Sequence, residues 1–482
     1  MLNRAGLRCL KPSIFKQTKS NLIINNSNIL SVSSRLSKNN NINQSFNNGF
    51  LQSNSKLNSI ISLNNNNNNY YKRFYSNENK TNSNEQVKEE EKTNDNSSNN
   101  NEEDYKEPEQ SKGNKKVGNW LLFSCGLVGA MIVIGGITRL TESGLSIVDW
   151  KPVVGAIPPI TQEEWEAEFE KYKQFPEYKR LNMGMTLSEF KEIFFWEYSH
   201  RLLGRVIGVA FFFPFVWYLK KGYINRSLAK KLSVVFLMGG AQGALGWYMV
   251  KSGLDEKLIQ DRGSDIPRVS QYRLAAHLGS AFVIYMALLW FGLGLVRPSA
   301  LSPAMMQKLK SAMSTLAQQK SSFTIEKMKK YSHQVSGLIF LTAMSGAFVA
   351  GLDAGLVYNT FPKMGHQWIP DDIINPKIKP AYKNMFEHDV TVQFQHRVLA
   401  TITYGSILAL SAFAYRGRLA LSPKARLATN CLLAVGTAQV ALGITTLLTF
   451  VPVSLGAAHQ TGSLTLLSVA IWLLHELKKL PK

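Results

Sequence analysis

Apolar residues in this chain gather into runs rather than alternating or recurring along one helical stripe. From Val117 onward there are eight such runs, each about 17 to 24 residues long: Val117–Ile137, Leu202–Leu219, Leu232–Val250, Ala275–Val296, Val335–Leu352, Val398–Ala414, Leu427–Phe450 and Val453–Leu474. A helix rising about 1.5 Å per residue needs roughly 20 residues to cross about 30 Å of hydrocarbon, so each run predicts one membrane span. The predicted fold is an all-α polytopic membrane protein with eight transmembrane helices, and a soluble enzyme is excluded.

The polar stretches between the runs are biased in sign. Lys220, Lys221, Arg226, Lys230 and Lys231 follow the second run without an acid. Arg297, Lys308, Lys310, Lys320, Lys327, Lys329 and Lys330 follow the fourth with Glu326 alone, and Arg416, Arg418, Lys424 and Arg426 follow the sixth. The alternate loops, 138–201 and 353–397, are longer and richer in acids. By the positive-inside rule the basic loops share one compartment, and an even number of spans returns both termini to it.

Spans one to four and five to eight read as two copies of one unit. Ala241-Gln242-Gly243-Ala244-Leu245-Gly246 matches Ala438-Gln439-Val440-Ala441-Leu442-Gly443, and His200-Arg201-Leu202-Leu203 matches His396-Arg397-Val398-Leu399. Ala275-Ala276-His277 matches Ala457-Ala458-His459, and Glu142-Ser143-Gly144-Leu145 matches Asp353-Ala354-Gly355-Leu356. Four matches in one order predict two pseudo-twofold-related four-helix bundles, residues 117–296 and 331–476, joined by a basic linker, 297–330.

The repeat singles out His200, His277, His396 and His459, each near the outer end of a helix, one pair per bundle. Two facing imidazoles with no further soft donor suit haem iron, whereas zinc generally takes three or four side-chain ligands. One turn on stand Gly204, Ala281, Ala400 and Ser463, small enough to leave room for a flat macrocycle. Arg201 and Arg397, basic residues on the outer side, are expected haem-propionate partners. Gln242 and Gln439 read as interhelical hydrogen-bonding groups, and His333, His366, His388 and His475 as non-ligands. The halves differ at one place. Glu197 stands three residues before His200, on its helical face, where the other half has Gln393 before His396. A carboxylate beside a membrane cofactor pocket is functional by default, which makes the N-terminal half the reactive one.

Composition refines this picture at the N-terminus. The chain has 55 Lys+Arg and 33 Asp+Glu, a formal charge of +22. The excess lies in an acid-free leader and in short loops, so nucleic-acid binding is not expected. The leader, with Arg4, Arg8, Lys11, Lys16 and Lys19 among Ser and Asn, has the composition of a mitochondrial transit peptide over 1–75. A polar Asn-rich and acidic segment, 76–116, is expected to be disordered, and 477–482 forms a short basic tail. Cys9, Cys125 and Cys431 offer no disulfide framework.

Gly136-Ile137-Thr138-Arg139-Leu140-Thr141-Glu142-Ser143-Gly144-Leu145-Ser146, Glu197-Tyr198-Ser199-His200-Arg201, Gln393-Phe394-Gln395-His396-Arg397 and Ala457-Ala458-His459-Gln460 resemble the mitochondrial type of haem A synthase. The resemblance runs from about Val117 to Leu474. It implies an oxidoreductase that converts the methyl group at porphyrin position 8 of haem O to formyl, through a hydroxymethyl stage, to supply haem A to cytochrome c oxidase. It further implies His396 and His459 as ligands of a haem B cofactor, His200 and His277 as ligands of the substrate haem O, and Glu197 as the catalytic carboxylate. The expected setting is the mitochondrial inner membrane with both termini in the matrix. The expected partners are a ferredoxin-type electron donor, haem O synthase, cytochrome c oxidase assembly factors and further copies of the chain. The residues alone support a di-haem membrane protein with one reactive pocket. They leave open a di-haem electron carrier of the b-cytochrome kind and, less well, a haem transporter.

Overall fold

A computed structural model of the chain describes residues 109–149, 154–256, 267–296 and 315–478. The expected transit peptide, 1–75, most of the polar segment after it, residues 297–314 of the basic linker and the end of the tail lie outside the described residues. Eight long helices dominate: α1 (Glu109–Leu140), α2 (Leu187–Lys220), α3 (Arg226–Leu254), α4 (Gln271–Val296), α5 (Thr315–Leu352), α6 (Asp389–Arg416), α7 (Pro423–Leu448) and α8 (Val453–Lys478). Each contains a stretch long and apolar enough to cross a membrane, and the described residues contain no strand. The all-α polytopic class follows.

The helices outrun the apolar runs that announced them. The segment expected to be disordered up to Lys116 is helical from Glu109, and α5 starts at Thr315, inside the expected linker. There Ile325 and Met328 are buried against the bundle. The largest extension is in α2, which begins at Leu187. Thr186 and Glu189 form a reciprocal capping box: the Glu189 amide donates to Thr186 Oγ1 at 3.3 Å, and the Thr186 amide donates to Glu189 Oε2 at 3.0 Å. The first turns then bury Phe190 and Phe194 against Phe169 and Tyr172 of a short helix, Gln162–Lys173, in a small apolar core outside the spans. Hydropathy misses this half of α2 because its apolar residues lie on one face, not all round.

Helix pairing follows the repeat. α1 and α3 each pack on α2 and α4, and α5 and α7 each pack on α6 and α8. The two sets meet through α1, α4, α5 and α8. Accordingly α1 and α8 are the most buried spans and α2 and α3 the least, with Phe213 and Leu237 among many large apolar side chains left outward for lipid. Small residues allow a close approach of α1 and α4: a Cβ on Gly292 would lie 2.8 Å from Leu122 Cδ2 and 3.3 Å from the Gly118 carbonyl.

Several polar groups inside the spans find partners across helices, as a medium without water favours. Pro214, within α2, has no N–H to give the Ala210 carbonyl four residues back, and the Trp120 indole N–H of α1 donates to that oxygen at 3.1 Å instead. Gln460 of α8 donates to the Ile132 carbonyl of α1 at 2.8 Å. Arg139 at the end of α1 pairs at 3.0 Å with Asp353, which follows α5. Glu142 and Asp353, matched by the repeat, both turn the chain at φ +54°.

Candidate paired-histidine site

His200 lies well inside α2 rather than in its first turn, because the helix starts so early. His277, His396 and His459 stand nearer the starts of α4, α6 and α8. The structure brings His200 and His277 together, with ring centroids 6.4 Å apart and planes inclined by 57°. Imidazole–metal bonds are about 2 Å long, so this separation admits one metal between the rings.

Every one of the four rings lies against a glycine of a neighbouring helix. A Cβ on Gly135 of α1 would fall 2.9 Å from His200 Nε2, and one on Gly346 of α5 would fall 3.3 Å from His396 Cε1. Likewise Gly246 of α3 lies 3.5 Å from His277 Cε1 on this measure, and Gly443 of α7 lies 2.7 Å from His459 Cε1. Gly135 matches Gly346 and Gly246 matches Gly443 in the repeat register. These glycines were legible as repeated positions, but only packing shows that they seat the histidines. The space expected beside Gly204 is bordered by the flexible end of Met131, whose Cε would lie 3.1 Å from an added Cβ.

Hydrogen bonding orders the two halves differently. In the C-terminal half His396 Nδ1 lies 2.7 Å from Ser345 Oγ, and that hydroxyl donates to the Thr342 carbonyl at 2.8 Å. Gln242 donates to the His277 carbonyl at 3.1 Å and Gln439 to the His459 carbonyl at 2.9 Å, which bears out their reading as interhelical hydrogen-bonding groups. Gln242 Oε1, Gln439 Oε1, His277 Nδ1 and His459 Nδ1 are all buried without a hydrogen-bond partner. Such orphans are expensive in apolar surroundings. Among the described residues no group of three or more His, Cys, Asp or Glu could hold a bare metal ion. Paired imidazoles and glycine-bordered rings fit a haem, which His200 with His277 and His396 with His459 would hold.

The arginines act first on the protein itself. Arg201 donates to the Ile147 carbonyl at 2.7 Å and the Asp149 carbonyl at 3.0 Å, and Arg397 donates to the Tyr358 carbonyl at 2.7 Å and the Thr360 carbonyl at 2.8 Å. These carbonyls match in the repeat, so each arginine straps its outer loop to the helix that carries the histidine. Glu197, buried, completes the first strap. Its Oε1 accepts from Arg201 at 2.7 and 3.1 Å, and its Oε2 accepts from Ser146 Oγ and the Ile147 amide, both at 2.8 Å. Gln393 repeats the strap without charge, donating to the Tyr358 carbonyl at 3.1 Å and accepting from Arg397 at 3.4 Å. Arg397 Nε remains buried without a partner. Sequence reasoning identified the Glu197–Gln393 asymmetry but not the loop residues it holds.

Three of the remaining histidines make their contacts elsewhere. His333 Nδ1 lies 2.7 Å from the Lys329 carbonyl, His388 precedes α6 with Nδ1 3.0 Å from Thr391 Oγ1, and His475 packs edge-on to Trp290 near the end of α8. None of these contacts involves a paired histidine.

Comparison with known proteins identifies the family. A family model described as cytochrome oxidase assembly protein matches residues 118–471. Heme A synthase COX15 of Bos taurus is 49% identical over 366 residues, covering 76% of this chain and 83% of its own length. Heme A synthase of Nitrosospira multiformis is 47% identical over 366 residues, covering 76% and 94%. Heme A synthase COX15 of Saccharomyces cerevisiae is 42% identical over 377 residues, covering 76% of each. With its repeated histidine pairs and eight spans, the chain belongs to the haem A synthase family of cytochrome oxidase assembly proteins.

Proposed function

We propose that this chain is the haem A synthase of the mitochondrial inner membrane, oxidising the position-8 methyl of haem O to formyl, with both termini in the matrix. The two halves are pseudo-twofold copies that have diverged, the N-terminal one binding substrate haem through His200 and His277 and the C-terminal one binding haem B through His396 and His459. A resident haem B supplies one-electron redox chemistry. The observation that carries the division of labour is the buried strap, in which the arginine has a carboxylate partner at Glu197–Arg201 and only an uncharged amide at Gln393–Arg397. Electrons come from a ferredoxin-type donor. The family assignment gives no support to a simple di-haem electron carrier.

In this reading Glu197 is the catalytic carboxylate. Oxidising a methyl to an aldehyde releases protons and builds positive character on the substituent, and a fixed carboxylate on the histidine's own helical face can accept the one and stabilise the other. Ser146, the Ile147 amide and Arg201 hold both oxygens in place. Arg201 and Arg397 retain a role toward propionates, Arg397 through its unpartnered buried Nε.

Gln393 shows how such a frame can take a glutamine: its oxygen stays on the arginine and its NH2 turns to the Tyr358 carbonyl, the counterpart of the Ile147 carbonyl. Glu197→Gln should therefore keep the fold and the haem B content, while activity falls on the order of 10² to 10⁴-fold. Haem extraction and turnover of the purified variant measure both. Haem A formation near the wild-type rate would reduce Glu197 to a structural member of the strap.

A further inference from the structure

The C-terminal histidine pair differs from the N-terminal one in a way that follows from a single hydroxyl. Ser345 has one proton, and both of its contacts are satisfied together only when that proton goes to the Thr342 carbonyl, 2.8 Å away, which can only accept. The 2.7 Å contact between Ser345 Oγ and His396 Nδ1 is therefore made by the imidazole's proton. That selects one tautomer: Nδ1 carries hydrogen and Nε2 presents its lone pair. A ligating histidine whose other nitrogen donates to a neighbour is held in orientation and made a stronger base toward the metal. Thr342 is anchored in turn, 2.8 Å from the Leu338 carbonyl and 2.7 Å from Thr403 Oγ1 of α6, the helix that carries His396.

In the repeat register Ser345 corresponds to Ile134, which has no side-chain hydrogen-bonding group. His200 accordingly lacks this anchor, and it turns a different edge to its glycine: Nε2 faces Gly135, whereas Cε1 of His396 faces Gly346.

We propose that Ser345 is a positioning residue that makes the C-terminal pocket a permanent haem site, and that Ile134 at the matching place leaves the His200 pocket exchangeable. A synthase needs that contrast, because its cofactor must stay while its substrate and product leave. The inference rests on the reading of His396 and His459 as the cofactor pair.

The test uses full-length protein purified in detergent with its haem. Haem B release to excess apomyoglobin is timed, and the low-spin electron paramagnetic resonance signal is recorded. Ser345→Ala should weaken haem B binding about 10- to 100-fold, the usual range for loss of such a partner, and be read as faster release. It should also shift the signal, while Ser345→Thr, which keeps the hydroxyl, should restore both. Ile134→Ser should slow haem release from the N-terminal pocket, a gain that does not depend on Ser345→Ala accumulating. If Ser345→Ala keeps wild-type release and signal while His396→Ala loses haem B, the positioning role is overturned and the cofactor assignment stands. If His396→Ala itself keeps haem B, the cofactor assignment fails. An Ile134→Ser protein with unaltered N-terminal release would likewise overturn the proposed contrast.

Discussion

Single residues decide how closely protein can approach the histidines. Gly443 and Gly246 are matched by the repeat, yet an added Cβ would lie 2.7 Å from the His459 ring and 3.5 Å from the His277 ring. The first distance requires the ring or the helix to move, and the second is ordinary van der Waals contact. Gly443→Ala should therefore lower bound haem B severalfold, whereas Gly246→Ala should leave it unchanged. Haem per polypeptide, read from the absorbance of the purified variants, checks both. Equal losses in the two would mean that the halves are equally tight and that packing does not distinguish the cofactor side. The same sensitivity appears where Gln460 lies over Gly136, so that a side chain there would displace the amide joining α8 to α1.

At the scale of one helix, α2 shows how a defect in the backbone is repaired by a neighbour. Pro214 orphans the Ala210 carbonyl, and Trp120 of α1 supplies the missing donor. Trp120→Phe keeps most of the aromatic packing around Phe211 but leaves an unpaired carbonyl in hydrocarbon, a loss of about 1–3 kcal/mol. Adding Pro214→Ala returns an intrahelical N–H and should recover much of that loss. Denaturant unfolding in mixed micelles of the two single variants and the double variant measures the coupling, and strictly additive effects would show the bond to be irrelevant. A second feature at this scale is the turn between α7 and α8, where Phe450 and Val451 both have positive φ. A β-branched residue there is strained, and the turn immediately precedes the helix that carries His459.

For the molecule as a whole, orientation follows from charge and the site follows from symmetry. In the proposed orientation the positive-inside rule assigns the basic segments Lys220–Lys231 and Arg297–Lys330 to the matrix side, and the paired histidines are then expected toward the intermembrane space. Protease added to mitoplasts should leave Arg297–Lys330 intact until the inner membrane is opened. Cleavage there with the membrane sealed would invert the topology. The halves are clasped beside the outer loops by Arg139 and Asp353, with Arg268 also reaching Asp353 at 3.4 Å.

Much of this protein is legible in its sequence. Eight spans, their class and the four histidines follow from the sequence because crossing a bilayer demands about 20 apolar residues in a row, and because an internal repeat marks its own exceptions. The Glu197–Gln393 difference is one such exception. Tertiary structure alone decided the rest. Where α2 and α5 begin depends on amphipathic and polar turns that hydropathy does not register. That Arg201 and Arg397 strap outer loops depends on backbone carbonyls, which carry no sequence signature. That Ser345 selects the tautomer of His396 depends on which of two acceptors its single proton can reach, and only the folded positions of Thr342 and His396 settle that.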